Sequence, residues 1–335
     1  MEIVPDNLPV DAGSESEPQE QEIFAKPRRK FSIDFRKYWI VITLVAFLAG
    51  SFGGFGIGRN SAHQEMAASS QRQSLEINAL VNEINPADGI KLQATYGDIG
   101  PKLLAAGVID LPAFEELYKQ AGQPLSEQEI TILTKGNQDK IVFTRENAHF
   151  LLNYFWALGL SNKNPVLDAG PIQQASGGKI DGFASTGGWT IGTKPINELF
   201  SRVSLLSLTT EQQAKVEEVA KAVYRPCCDN PTHFPDCNHG MAMLGLLELM
   251  ASQNATVEEM FQAAKYSNAF WYPQQTLEQA VFFKATDKVD YKDIDAKLIV
   301  GQQVSSISSF KIMHQWLSEN GLLGQTANGG NSCGV

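Results

Sequence analysis

An unbroken run of 21 uncharged residues, 38–58, divides the chain into a short N-terminal part and a long C-terminal part. As an α-helix with a rise of about 1.5 Å per residue, such a run spans roughly 30 Å, which is the thickness of the hydrocarbon core of a bilayer. Tyr38 and Trp39 begin the run, where aromatic side chains favour the membrane interface. The run therefore predicts a single transmembrane helix, whose partner is the lipid bilayer.

A cleaved signal peptide is the alternative interpretation of the same run, with Ala49-Gly50-Ser51 as the cleavage region. We favour the anchor, because a signal peptide has a shorter apolar segment close to the N-terminus. Here the apolar segment begins only after 37 residues. Whether the anchor is cleaved stays open.

Glycines crowd the second half of the predicted span. Small residues allow helices to approach closely in lipid, so a homo-oligomer formed through this helix is a further prediction. The glycines concerned are Gly50, Gly53, Gly54, Gly56 and Gly58.

The charges on either side of the span predict its orientation. Six cations lie in residues 26–37, whereas only Arg59 and Arg72 follow in the near flank. Because cytoplasmic flanks of membrane helices are enriched in Lys and Arg, the N-terminus is predicted to be cytoplasmic. Residues 59–335 are then predicted to lie outside the cell membrane.

The other segments are assigned from their composition. Residues 1–37 are predicted to be a disordered cytoplasmic tail with a basic juxtamembrane cluster. Residues 59–83 are predicted to be a helical stalk, and residues 84–323 an extracytoplasmic helical domain. Residues 324–335 are predicted to be a flexible, Gly-rich tail.

The net charge of the chain argues against one class of partner. It is −10, and the first 37 residues hold eight acidic and six basic side chains, a net −2, which leaves −8 for the remainder. Binding to nucleic acid depends on clustered cations, so we expect no nucleic-acid partner. A hydrophobic content of 43% excludes a largely disordered chain.

Helix signals dominate residues 84–323, and the fold class is predicted to be mainly α: one multi-helix globular domain with little β structure. Helices are expected over 145–158, capped by Thr144, and over 306–319. Capping boxes, which mark helix starts, are predicted at Ser126-x-x-Glu129, Thr210-x-x-Gln213 and Thr256-x-x-Glu259.

Strand signals are scarce by comparison. Ile141-Val142-Phe143 is one short candidate. The Gly-rich segment 177–192 is a candidate hairpin. No period of 20–50 residues repeats, which argues against a solenoid.

The segment 225–243 has the most distinctive chemistry, because it holds three of the four cysteines. Its three prolines disfavour a helix and stiffen the loop. Asp236 or Asn238 is expected to cap a helix that continues to Met250, and the helix dipole would favour a thiolate at Cys237. The candidate ligands of the segment are Cys227, Cys228, His233, Cys237, His239 and Met241.

A metal site is the favoured interpretation of this segment. Thiolate and imidazole together suit zinc, and thiolate with thioether suits Cu(I). The predicted ligands are Cys227 or Cys228, Cys237 and His239, although the spacing is not that of a standard zinc finger. The shell would be completed by His233, Met241 or Cys333, and the role would be metal handling or stabilisation.

Three other interpretations remain open for the same cysteines. Outside the membrane they could form disulfides that staple a structural or interaction module. They could serve a thiol–disulfide redox protein, or Cys237 could be a nucleophile with His239 as its base. They could also be inert, buried side chains. The sequence does not decide among these, nor whether the protein is an enzyme.

Two further features have less specific signals. Cys333 either returns to the 227–239 loop as a ligand or disulfide partner, or is a free thiol in the terminal tail. Glu146-x-x-His149 places a carboxylate and an imidazole on one helix face, as in di-iron bundles, but such sites need a second copy. We therefore interpret His149 as structural.

Overall fold

The structure, a computed structural model, describes residues 76–323. It is mainly helical, as predicted from the sequence. The predicted span 38–58, the tails 1–37 and 324–335, and residues 59–75 of the predicted stalk lie outside the described residues. Over residues 76–323, no helix is both long enough and apolar enough to cross a membrane.

The N-terminal elements surround a two-stranded antiparallel sheet, in which Ile90 pairs with Phe143 and Lys91 with Val142. The sheet includes the predicted strand at 141–143 and one strand that the sequence analysis did not predict. The elements are α1 (76–84), β1 (Ile90–Gly97), α2 (Ile99–Ala105), α3 (Leu111–Gln120), α4 (Glu127–Lys135) and β2 (Asn137–Phe143).

The middle of the chain begins with a long buried helix and continues through short helices. The predicted hairpin in 177–192 is wrong, because this segment holds two short helical pieces, Ile180–Gly182 in 3-10 geometry and Ala184–Gly187. The α-helices are α5 (Ala148–Ser161), α6 (Pro165–Asp168), α7 (Pro171–Ser176), α8 (Ala184–Gly187), α9 (Ile196–Leu199) and α10 (Thr210–Ala222).

The C-terminal part is a series of helices that packs around the second long buried helix. A 3-10 turn, Tyr291–Asp293, interrupts the series. The α-helices are α11 (Asn238–Ser252), α12 (Val257–Trp271), α13 (Pro273–Thr286), α14 (Ala296–Ile299), α15 (Gln302–Ser305) and α16 (Ile307–Glu319).

Capping side chains set several of these helix starts. The predicted boxes at Ser126 and Thr256 are confirmed, since each side chain accepts a hydrogen bond from a backbone N–H three residues on. The third box lies one residue earlier than predicted, at Thr209 with Gln212. The helix predicted to begin at Arg145 begins at Ala148 instead.

The core of the domain is the contact between α5 and α11, whose backbones touch at two glycines. A Cβ atom on Gly159 would lie 2.1 Å from the carbonyl oxygen of Met241, and one on Gly245 would lie 2.3 Å from that of Phe155. Only glycine permits this approach. The contact fixes α11 along its length and so positions its N-terminal end, where the cysteines lie.

Candidate metal centre

The cysteine-bearing loop, residues 224–237, is fixed by hydrogen bonds to the helices around it. The backbone N–H of Thr232 donates to the carbonyl of Val223 (2.8 Å), and that of Ile307 donates to the carbonyl of Cys228 (3.1 Å). The Asp229 carboxylate accepts from both the N–H and the hydroxyl of Ser308. The loop is therefore held between the end of α10 and the start of α16.

A buried arginine organises the inside of the loop. Arg225 is 1% exposed, and its Nη2 donates to Asp236 Oδ1 at 2.6 Å. Its Nη1 donates to the carbonyl of Asn230 (2.9 Å), and its Nε to the sulfur of Cys237 (3.0 Å). The Asn230 side chain in turn donates to Asp236 Oδ2 at 2.7 Å. The guanidinium at the start of the loop is thus hydrogen-bonded to two residues at its end, the Asp236 carboxylate and the Cys237 thiol.

Gly240 makes room for this guanidinium. A Cβ atom at this position would lie 2.5 Å from Cζ of Arg225, well inside van der Waals contact. The plane of the guanidinium therefore lies directly against the first turn of α11.

Three thiols converge beside Arg225. The sulfurs of Cys227 and Cys237 lie 3.6 Å apart, and all three sulfurs, that of Cys228 included, lie within 4.8 Å of one another. All three side chains are free thiols and partly exposed. The hydroxyl of Tyr272 donates to the sulfur of Cys227 at 3.0 Å.

Cys237 itself caps α11, in place of the predicted Asp236 or Asn238. Its side chain accepts from the backbone N–H of Gly240 at 3.4 Å. The helix N-terminus and the Arg225 cation both favour negative charge on this sulfur.

The three thiols differ in acidity. Hydrogen bonds with Cys227 and Cys228, together with the positive charge of Arg225, hold the pKa of Cys237 well below its ordinary value, despite burial. Hydrogen bonds with Cys228 and Cys237, and burial, raise the pKa of Cys227. The pKa of Cys228 is lowered by its hydrogen bond with Cys227. Its hydrogen bond with Cys237 and its burial act in the opposite direction, and the pKa is raised to about 11. The cluster thus favours one thiolate, on Cys237.

The charge of Arg225 persists in this setting. Burial alone lowers the pKa of its guanidinium, but the neighbouring sulfurs of Cys237, Cys228 and Cys227 raise the pKa above its ordinary value.

His239 lies in the first turn of α11, and its ring packs on that of Tyr272, with the two centroids 4.5 Å apart. The side-chain oxygen of Asn238 accepts from the His239 backbone N–H (2.9 Å) and lies 2.8 Å from Nδ1. This places the proton on Nδ1 and leaves Nε2 with a lone pair. Burial lowers the pKa of His239 to about 4, so the imidazole is neutral at physiological pH.

A cavity of about 530 Å³ lies beside His239. His149, Trp271 and Glu146 line it together with His239. The ring of His149, which is predicted to be structural, packs against that of Tyr118 with the two centroids 4.9 Å apart.

Two other predicted ligands, His233 and Met241, lie among the described residues. His233 is near Glu217 and Lys221 of α10, and burial lowers the pKa of its imidazole. Met241 is fully buried in the core. Cys333 lies outside the described residues. Among the described His, Cys, Asp and Glu side chains, only Cys227, Cys228 and Cys237 come close enough together to share one ion.

Two residues of the site, Arg225 and Tyr272, were missed by sequence reasoning. Arg225 had a local signal, since a cation directly precedes Pro-Cys-Cys. Tyr272 had none, because it is 45 residues from Cys227 along the chain.

Comparison with models of protein families, with curated proteins and with solved structures finds no match to this chain.

The sulfur spacing fits a metal ion. With zinc–sulfur bonds of about 2.3 Å, tetrahedral coordination places two sulfurs roughly 3.8 Å apart. Cys227 and Cys237, at 3.6 Å, already have this spacing, and Cys228 needs only a small displacement. The site can thus hold a metal ion without a change in the fold.

Proposed function

We propose that the cluster of Cys227, Cys228 and Cys237 binds a soft metal ion, zinc or Cu(I). The observation that carries the proposal is the convergence of three free thiols within 4.8 Å. Thiolates are the preferred ligands of Cu(I) and are common ligands of structural zinc.

Arg225 supports the proposal through charge. Three thiolates exceed the charge of a monovalent or divalent cation, and a permanent cation in contact with Cys237 offsets part of the excess. Because its guanidinium is buried and hydrogen-bonded, this compensation is screened only weakly by salt.

A fourth ligand would complete a tetrahedral zinc site. His239 is the candidate whose chemistry fits best, because its imidazole is neutral and its Nε2 has a lone pair. To join the site, it would have to move closer to the three sulfurs. His233, Met241 and Cys333 remain the other proposed ligands. A site with three thiolates and no fourth ligand suits Cu(I).

Metal handling is a better fit than a purely structural role. Hydrogen bonds through Arg225, Asp229 and Asn230 hold the loop, so an ion would not be its only support. Cys228, whose thiol is the least buried of the three, gives an ion a route in and out. A structural staple would be expected to be closed.

Elemental analysis of the purified full-length protein tests the proposal. We expect about one equivalent of zinc or copper, which is lost in Cys237→Ser, since removal of a thiolate weakens a three-thiolate site severely. His314→Gln is the control, because His314 lies on α16, where its Nδ1 is 2.7 Å from Glu278 Oε2, and it is not among the proposed ligands. A protein that takes up no metal after reduction and incubation with either ion would refute the proposal.

The cellular location is a separate proposal. Support comes from the uncharged run 38–58 and the cations that precede it. We expect the protein to stay in the membrane fraction at alkaline pH. A membrane-impermeant thiol reagent should label the cysteine loop in intact cells after mild reduction. Release at alkaline pH, or labelling only after lysis, would contradict it.

A further inference from the structure

Two of the three thiols are placed to react with each other. The sulfurs of Cys227 and Cys237 are 3.6 Å apart, and a disulfide bond measures about 2.05 Å, so they need to close by roughly 1.5 Å. Rotation of a side chain about its χ1 angle can supply a movement of this size. Cys237 is anchored at the start of α11, whereas Cys227 lies in the loop.

The hydrogen bonds assign different roles to the two sulfurs. Cys237 accepts from the Arg225 guanidinium and from the N–H of Gly240, and such donors stabilise a thiolate. Among residues 76–323, Cys227 has only the hydroxyl of Tyr272 as a donor outside the cluster. Cys237 is therefore the sulfur that attacks a substrate disulfide, and Cys227 is the sulfur that then breaks the resulting mixed disulfide.

Cys228 is the less suitable partner. Its sulfur lies 3.8 Å from the carbonyl of Asn230 and 3.8 Å from Asp236 Oδ1. The Cys228 sulfur thus has these oxygens as further neighbours, whereas the Cys227 sulfur is in contact with that of Cys237 at 3.6 Å.

We propose that Cys237 and Cys227 form a dithiol pair that reduces low-molecular-weight disulfides. The Cys237 thiolate attacks one sulfur of the substrate disulfide, whose S–S bond breaks and releases a thiolate. Cys227 then gives its proton to that thiolate and attacks the Cys237 sulfur of the mixed disulfide. This forms the Cys227–Cys237 bond and releases the second thiolate, which takes a proton from water. The protein dithiol loses two electrons, and the substrate becomes two thiols.

This activity does not depend on metal binding, but it affects the same site. A bond between Cys227 and Cys237 removes two of the three sulfurs available to an ion. Oxidation would therefore release a bound metal ion, and a bound ion would protect the pair from oxidation.

The test uses the full-length protein, reduced and freed of metal by a chelator, with oxidised glutathione as the disulfide. A protease that cleaves before aspartate separates Cys227 and Cys228 from Cys237, because cleavage sites occur at Asp229 and Asp236. Mass spectrometry of the peptides then identifies the bridge. We expect a bridge between the 227–228 peptide and the Cys237 peptide, and two thiols of glutathione released per protein.

Single variants distinguish the partners. Cys228→Ser should still form the bridge between Cys227 and Cys237, because both reacting sulfurs remain. In Cys227→Ser, a mixed disulfide of Cys237 with glutathione should accumulate and resolve at least about tenfold more slowly, because the aligned second thiol is gone. Cys237→Ser should form no bridge.

Three results would overturn the inference: no reaction with oxidised glutathione, a bridge from Cys237 to Cys333, or equally fast bridging in Cys227→Ser through Cys228. Metal uptake is measured on a separate reduced sample. A protein that binds metal but forms no bridge contradicts this inference alone, and one that bridges without binding metal contradicts only the metal proposal.

Discussion

The first turn of α11, residues 238–241, and the part that follows it, residues 242–251, are both buried. The second part is called the body of the helix, and the two parts are stabilised in different ways. The body packs against α5 through apolar side chains and through the backbone contact of Gly245 with Gly159. The first turn also contacts polar and charged groups: the Arg225 guanidinium is hydrogen-bonded to the sulfur of the capping Cys237. The comparison shows how one helix can combine a rigid packing surface with a reactive end.

The stability of the first turn depends on the pairing of charged and polar groups, whereas the stability of the body depends on close packing. A buried charge is tolerated only when it has partners, so removal of a partner is costly. A close-packed backbone contact instead tolerates no added atom. The following variants separate these two kinds of dependence.

The largest effect is expected from Arg225→Met. The variant leaves the Asp236 carboxylate and the Cys237 sulfur without their cation, and loss of one partner of a buried pair costs about 3–5 kcal/mol. Urea denaturation measures the free energy of unfolding. Lys221→Met is the control, since it breaks only an exposed pair with Glu217, and a change below about 0.5 kcal/mol is expected there. Equal losses in both variants would show that the loop does not depend on Arg225.

Acid should destabilise the first turn through His239. Its folded-state pKa is about 4, below the ordinary value of 6.5. A depressed pKa gives stability that is present above pH 6.5 and is lost as the pH falls towards 4. With about 1.4 kcal/mol per pKa unit, metal-free wild type should lose about 3 kcal/mol more than His239→Phe between pH 7 and pH 4. Unfolding curves that shift equally with pH in both proteins would contradict this.

In the body of α11, Gly245→Ala should cost about 1–3 kcal/mol, because the new Cβ atom meets backbone atoms of α5 that cannot rotate away. Gly182→Ala is the matched control: nothing lies within 4 Å of its Cβ position, so no loss is expected. Thermal unfolding measures both. The thiol reactivity of Gly245→Ala should stay at the wild-type value if body and first turn are independent.

The body also holds one titratable group, Glu248, and its pH dependence has the opposite sign. Burial raises the pKa of Glu248 well above 4.5, and its Oε1 has no hydrogen-bond partner among the described residues. A raised pKa gives stability that is complete below pH 4.5 and is lost as the pH rises through the folded-state pKa. Glu248→Gln should remove this loss, which has a slope of at most about 1.4 kcal/mol per pH unit. A variant no more stable than wild type at pH 8 would contradict it.

Much of the fold follows from local signals in the sequence. The side chains of Ser126 and Thr256 mark helix starts directly, because the acceptor lies three residues before its donor. The box at Thr209 was displaced by one residue, since Thr209 and Thr210 are followed by Gln212 and Gln213 and fit either position.

The missed strand had a signal too. In β1, the alternate residues Leu92, Ala94 and Tyr96 are buried, which is the period of a half-buried strand. The predicted hairpin in 177–192 rested on glycines alone, and glycines are equally compatible with the short helices and turns found there.

The site was predictable only in part. The three cysteines could be predicted as ligands because thiolates bind soft metal ions and because the three residues are close together in the sequence. The contact of Tyr272 with Cys227 depends on how α12 packs near α11, which no local pattern specifies. The distance of His233 from the cluster likewise results from the path of the loop back to α10.

The contact of Gly240 with the Arg225 guanidinium links two positions of the chain to one another. With Arg225 in its observed position, a larger residue at 240 would have to displace the guanidinium, because its Cβ atom would lie 2.5 Å from Cζ. The steric contact therefore joins two parts of one sequence pattern. The pattern is Arg-Pro-Cys-Cys, then eight residues, Cys, two residues and Gly. It can serve as a search pattern for other chains that build this thiol cluster, even where the rest of the sequence has diverged.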